Sequence, residues 1–278
     1  MFKNIMIAVD GSMYTDAVLS MGIAMTRAFH SRALILTVAD IRVFEWATAV
    51  GADGFVPIVP SGVYQDESRK MLEEKCDKVL EKCSEIAASE NINFETEKVI
   101  GSPVDCIIEH SQICDLLVMG KRGEFARFDR KALGATIEAV SRNVRKPIIV
   151  VDRTVAPVKK ILALYDGSAH ANQALQFVGH MAETILAQVT VLCINSDADI
   201  GGHYAAEAEK YLHNFQVTVE TRVIPGHPDK ESLEFAEKGQ FDLIAIGAYG
   251  HSRIREAILG STTEHILRFS PCPVLLAR

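Results

Sequence analysis

A chain of 278 residues, 48% apolar and 23% charged, has a globular composition and the length for one large domain or two ordinary ones. Its net charge of −7, from 29 basic and 36 acidic residues, offers no basic excess to neutralise phosphates, which argues against a nucleic-acid partner. No apolar run approaches the ~20 residues of a membrane helix, and Lys3, Asn4 and Asp10 break up any signal-peptide pattern, so a cytoplasmic location is expected.

The first element is a short apolar strand within "KNIMIAVDGS", ending at Asp10, and a second strand ends near Val38. Residues 41–65 then hold three glycines and two prolines with no sustained period. They read as a long loop or lid beside the first strand ends, with Phe44, Trp46, Phe55 and Tyr64 giving it apolar surface to pack. Leu72, Cys76, Val79, Cys83 and Ile86 follow in alternating steps of four and three, the stripe of a helix. Those cysteines are therefore expected as buried thiols. Cys106, Cys114, Cys193 and Cys272 form no C-x-x-C pair, and no metal site is expected. A later strand ends at Gly120 in "GKRG", ahead of a helix and the terminal strand "PIIVV".

The chain then repeats itself. "KNIMIAVDGSMYTDAVLSMGIAM" returns as "KKILALYDGSAHANQALQFVGHM", and "ALGATIEAVSRNVRKPIIVV" as "ILGSTTEHILRFSPCPVLLA". The offset is 156 at Asp10 and Asp166 but about 126 later, so the first copy carries about 30 extra residues, assigned to 41–65. Two domains are expected, 1–153 and 157–278. In the second copy strands "ILALY", "VTVLCI", "VTVETRVI", "DLIAIG" and "PVLLA" alternate with helices over about 168–186, 203–214 and 228–239 and from Ser261. Five strands with four crossover helices make each copy a doubly wound, Rossmann-like α/β sheet, all parallel, the copies related by a pseudo-two-fold axis.

In such a sheet ligands bind beyond the strand C-termini, where the strand order reverses. With order 3-2-1-4-5 that point lies between Asp166 and Gly247, or Asp10 and Gly120. Glycines there would let backbone approach a ligand closely. "GSTT" at 260–263 presents free helix N–H groups to an anion, and a phosphate is the natural guest. Asp-Gly-Ser is also an ordinary turn and helix cap. Its recurrence with the glycine motif, in both copies, favours a nucleotide.

"GAYGHSRIREAILGS" fits G-x2-G-x9-G-[ST], and with the first-strand Asp and the final "PCPVLL" the chain resembles the universal stress protein family along nearly its whole length, as two tandem domains. The resemblance implies an ATP-binding fold of the adenine-nucleotide alpha-hydrolase type. It implies that Asp166 and the Ile194 backbone hold adenosine, while Gly247, Gly250, Gly260, Ser261 and Thr262 hold phosphates. ATP, ADP or AMP would be the ligand, with Mg as its counter-ion. The terminal strands are expected to pair antiparallel, within the chain here, and a homodimer is the weaker expectation for assembly.

The first copy follows less closely. Asp10, Val38, Gly120, Gly123, Gly134 and Thr136 match, but ten residues precede Gly134, Ala135 replaces Ser, and Glu124 and Asp129 would repel phosphate unless turned away. It is expected as the weaker site. No pyrophosphatase, adenylyltransferase, Walker or dinucleotide motif is present, so no catalytic residue is assigned. The reading is a nucleotide-binding sensor or regulator of stress response. A slow ATPase, or a scaffold with a vestigial site, is the alternative.

Overall fold

The structure, a computed structural model, describes residues 2–40, 62–124, 133–248 and 259–278. The first half runs β1 (Asn4–Ala8), α1 (Thr15–Phe29), β2 (Arg32–Asp40), α2 (Gly62–Ser89), β3 (Asn93–Gly101), α3 (Pro103–Ser111), β4 (Leu116–Gly120), α4 (Ala135–Asn143) and β5 (Ile148–Val151). The second runs β6 (Lys160–Leu164), α5 (Ala169–Ile185), β7 (Gln188–Ile194), α6 (Ala198–Leu212), β8 (Val219–Ile224), α7 (Pro228–Gly239), β9 (Leu243–Gly247), α8 (Ser261–Phe269) and β10 (Val274–Ala277).

Short apolar runs without alternation form the central strands, because helices cover both faces of a parallel sheet. Four residues of β4 and all of β5, β9 and β10 are buried, whereas the outermost strands β3 and β8 mix exposed and half-buried positions. The two five-stranded sheets join into one ten-stranded sheet of order β3-β2-β1-β4-β5-β10-β9-β6-β7-β8. The join is antiparallel, with Val274 opposite Val150, Leu275 opposite Ile149 and Leu276 opposite Ile148. Every other pairing is parallel.

Each face of this sheet carries one core that runs through both halves. One face packs α1, α2, α5 and α6 over Ile7, Ile149, Ile161 and Leu275, and Phe2 of the first half stacks on Phe177 of the second with centroids 5.8 Å apart. The other packs α3, α4, α7 and α8 over Leu117, Ile148, Ile244 and Leu276. At the end of the sheet away from the crevices, Asp115 accepts the Lys3 and Asn4 N–H groups at 2.7 and 3.0 Å. Asp242 accepts those of Lys159 and Lys160, both at 2.9 Å.

Local chemistry sets the helix starts. Ser168 Oγ accepts the Ala171 N–H at 3.2 Å, and Pro103 and Pro228 open α3 and α7 where a missing N–H costs nothing. Two boundaries differ from the expected ones. Helix α6 begins at Ala198, not near 203, because Asp197 caps it by accepting the Asp199 and Ile200 N–H groups. Gly201 lies inside it, with Val223 filling the space a Cβ would need. Residues 62–65, read from sequence as loop, belong to α2, so part of the extra length is helix. Residues 41–61, and the expected lid with them, lie outside the described residues. All six cysteines are free and five are buried. No helix among the described residues is long and apolar enough to cross a membrane.

Candidate functional site

The first crevice opens at the C-terminal ends of β1, β2 and β4. The chain leaves β1 through Asp10 and turns at Gly11, whose φ of +76° is left-handed backbone that glycine adopts without strain. Asp10 Oδ1 accepts the Ser12 N–H at 2.9 Å, and Oδ2 accepts the Glu124 N–H at 3.0 Å. The Thr15 hydroxyl also donates to Oδ1, at 3.5 Å, so of the two oxygens, each with two lone pairs, Oδ2 is the one that retains capacity for a ligand hydroxyl. Strand β2 outruns β1, whose last register pair is Ala8 with Leu36, and the Val9 N–H closes the ladder on the Leu36 carbonyl at 2.9 Å. Alternate residues of a parallel strand turn their backbone groups to alternate neighbours. Val38 therefore aims its N–H and C=O toward the β1 side, one step past the last bond. That is an edge a nucleobase can read.

A cavity of about 400 Å³ fills this crevice. Leu36, Leu72, Val79, Ile107 and Met119 form its apolar wall, and Asp10, Lys75, Arg122 and Glu124 stand among its polar groups. All six residues expected of the first copy (Asp10, Val38, Gly120, Gly123, Gly134 and Thr136) line it. The first-turn N–H groups of α4 at Ala135, Thr136 and Ile137 have no partner within the helix. Lys121, although part of "GKRG", points elsewhere: it is buried, with Nζ 3.2 Å from Asp152, and burial lowers its pKa against that partner's pull.

The glycines act otherwise than the sequence alone indicates. A Cβ on Gly120 would stand 2.9 Å from the Arg122 carbonyl and 3.0 Å from Tyr14 Cβ; on Gly123 it would stand 2.8 Å from Asp10 Oδ2. On Gly134 it would stand 3.0 Å from Arg122 Cα, and the Gly134 N–H bonds the Lys121 carbonyl at 3.2 Å. In the second half a Cβ on Gly247 would sit 2.6 Å from the His170 carbonyl carbon. These glycines fit the loop to the protein's own strand ends and helix starts.

The second crevice has the same frame and a different filling. Asp166 Oδ1 accepts the Ser168 N–H at 3.0 Å, and the Tyr165 N–H bonds the Leu192 carbonyl at 3.0 Å, leaving Ile194 past the ladder as Val38 is. Gly260, Ser261 and Thr262 open α8, while buried Thr263 donates to the carbonyls of Gly247 or Ala248 at 3.1 and 3.2 Å. Gly250 lies outside the described residues, as does Asp129 of the first loop. Gly167 turns at φ +75° like Gly11, but the ring of Tyr204 from α6 stands 2.5 Å from where its Cβ would be. In the first half the corresponding neighbour is Val79, with Cγ2 at 2.7 Å from the Gly11 position. Tyr165 replaces Val9 and meets Tyr204 edge-on at 6.4 Å, its hydroxyl 2.6 Å from Asn172 Oδ1. Burial and Glu207 raise the Tyr165 pKa, so its hydroxyl stays protonated. Among the described residues, the copy with the more regular motif has aromatic rings at its nucleoside wall, and the less regular copy lines a cavity of about 400 Å³.

The family model described as "Universal stress protein family" matches residues 1–152 and 201–278. The chain belongs to the universal stress protein family. A universal stress protein of Synechocystis sp. is 29% identical, covering 99% of this chain and 100% of the relative. One of Mycobacterium tuberculosis is 22% identical over 99% of this chain and 97% of the relative. Among solved structures, a universal stress protein from Archaeoglobus fulgidus aligns with TM-score 0.78 at 22% identity, covering 99% of this chain and 98% of its own. The interval the family model leaves out, 153–200, holds β6, α5 and β7, where Tyr165 departs from the first copy.

Sequence reasoning missed Lys75 and Tyr204, and gave Arg122 of "GKRG" no role of its own. The signal for Lys75 and Tyr204 was present. Once α2 and α6 are aligned on their buried stripes (Leu80, Cys83, Ala87 against Ala205, Ala208, Leu212), Val79 falls on Tyr204 and Lys75 on Ile200.

Proposed function

We propose that this universal stress protein binds an adenine nucleotide in its first crevice and works in the cytoplasm as a nucleotide-responsive regulator in stress response, with domains at 1–153 and 157–278. The observation that carries the reading is the cavity of about 400 Å³ at the switch point of the first half. Its size is within the range of small-ligand pockets, about 300–1,000 Å³. The base packs on Leu36, Val79, Ile107 and Met119, with its polar edge on the Val38 backbone. Asp10 accepts the ribose hydroxyls. The phosphates lie at the start of α4, where unpaired N–H groups and the helix dipole favour negative charge. Mg accompanies the phosphates as their counter-ion; the chain's own part is to bind and orient.

Calorimetric titration of the full chain with ATP and AMP, paired with mass spectrometry of small molecules released on denaturation, tests this. One adenine nucleotide per chain is expected. No binding by a folded chain would overturn the reading in favour of a scaffold, and sustained turnover of ATP would favour the slow ATPase.

A further inference from the structure

We infer that Lys75 and Glu124 form a charge latch across the mouth of the first crevice, and that Lys75 is the residue by which the site selects phosphorylated adenine nucleotides over the bare nucleoside. The inference rests on the nucleotide reading above and adds what discriminates among ligands.

Lys75 rises from α2, and its Cε lies 3.6 Å from where a Cβ on Gly11 would stand. Its ammonium reaches across the crevice to the Glu124 carboxylate on the glycine loop. The backbone N–H of the same Glu124 is held by Asp10 at 3.0 Å, so helix, loop and first strand are tied in one chain of contacts over the cavity. Both Lys75 and Glu124 line that cavity. The acidic residue that the sequence marks as hostile to phosphate is therefore neutralised by a lysine from another element.

The pair is open to exchange. Its side chains are 38% and 52% exposed, and ion pairs in that setting contribute little stability. A phosphate entering at the α4 N-terminus brings more charge than the carboxylate and meets the helix dipole as well. Arg122 stands beside the latch as a second cation: it lines the cavity, and its buried Nε has no hydrogen-bond partner among the described residues. The bound state thus replaces Lys75–Glu124 by Lys75–phosphate and leaves the carboxylate to solvent. Adenosine, having no phosphate, leaves the latch shut and gains nothing from Lys75. In the second half the Lys75 position is Ile200, so no equivalent lysine is offered there.

The test is titration of the full chain with adenosine, AMP and ATP, comparing wild type with Lys75→Met and Glu124→Gln. Lys75→Met should weaken AMP and ATP about tenfold, the weight of one charge-assisted hydrogen bond, and leave adenosine within about twofold. Glu124→Gln should act oppositely, tightening AMP and ATP severalfold because the competitor is gone while its N–H still holds Asp10. Equal shifts for adenosine and AMP in Lys75→Met, no shift at all, or weaker AMP binding in Glu124→Gln would overturn the latch and leave the nucleotide site standing. A wild type that binds none of the three removes the nucleotide reading itself.

Discussion

The two halves share a strand order, a left-handed glycine after the first strand and a carboxylate at the same turn, yet among the described residues one lines a cavity and the other sets a tyrosine ring against that glycine. Both halves keep the motif residues in large part. Among the described residues the halves differ one layer out, on the helix that crosses over each crevice, where Val79 and Tyr204 occupy corresponding places. A motif fixes where a ligand can be held, and the packing around it decides whether there is room.

Exchanging those two side chains is the most forceful way to break the comparison. Val79→Tyr should abolish nucleotide binding, because the ring enters the first cavity beside Gly11. Tyr204→Val should raise the stoichiometry from one toward two. Calorimetry reads both, and a Val79→Tyr chain that still binds one equivalent would show that the crevices differ for another reason. The next largest effect concerns what the halves share. Leu275 is fully buried opposite Ile149 at the seam, and Leu275→Ala should cost about 2–5 kcal/mol. Because each core runs through both halves, denaturant melts should move as one transition; a separate shift of the second half would show the halves to be independent.

Asp10→Ala should weaken nucleotide binding by about 1.5–3 kcal/mol, since it removes an ionised acceptor and the anchor of the Glu124 N–H. Asp166→Ala should leave affinity unchanged, and equal losses in the two variants would restore the second crevice as a binding site. The smallest effect is a titration found only in the first half. His110 lies 2.7 Å from the Cys106 carbonyl and 3.2 Å from Glu97, where the second half has Phe235. Burial opposes charge on the ring, but those two acceptors outweigh it and raise its pKa. A raised histidine stabilises the fold below its unfolded value, about 6.5, and loses that contribution as pH rises through the folded value. His110→Phe should therefore cost more stability near pH 5 than at pH 8, by less than about 1 kcal/mol. Thermal melts at the two pH values check it.

Much of the fold was legible because it is written in local patterns: apolar runs, the helical stripe through Leu72 and Cys83, and a repeat that shows the chain the same way twice. The antiparallel meeting of "PIIVV" and "PVLLA" followed from the family likeness, and the structure has it. Less legible were features that need a partner from elsewhere in the chain. The early start of α6 hung on one aspartate cap, and two adjacent glycines masked it. Asp115 and Asp242 pin the N-terminal residues of β1 and β6, yet in sequence each is only an acidic residue before a strand. The site residues could be named from spacing, but the filling of each crevice could not. Tyr204 becomes visible only after two helices of unequal length, behind stretches of sequence of unequal length, are brought into register.

The antiparallel join of β5 and β10 has a genetic consequence. In a symmetric pair of identical chains every substitution appears twice, so a residue that closes one crevice closes the other. With both halves on one chain, held together at a high effective concentration that dilution does not change, that constraint is gone. One crevice can turn into packing while its twin keeps a ligand, and each can then drift at its own rate.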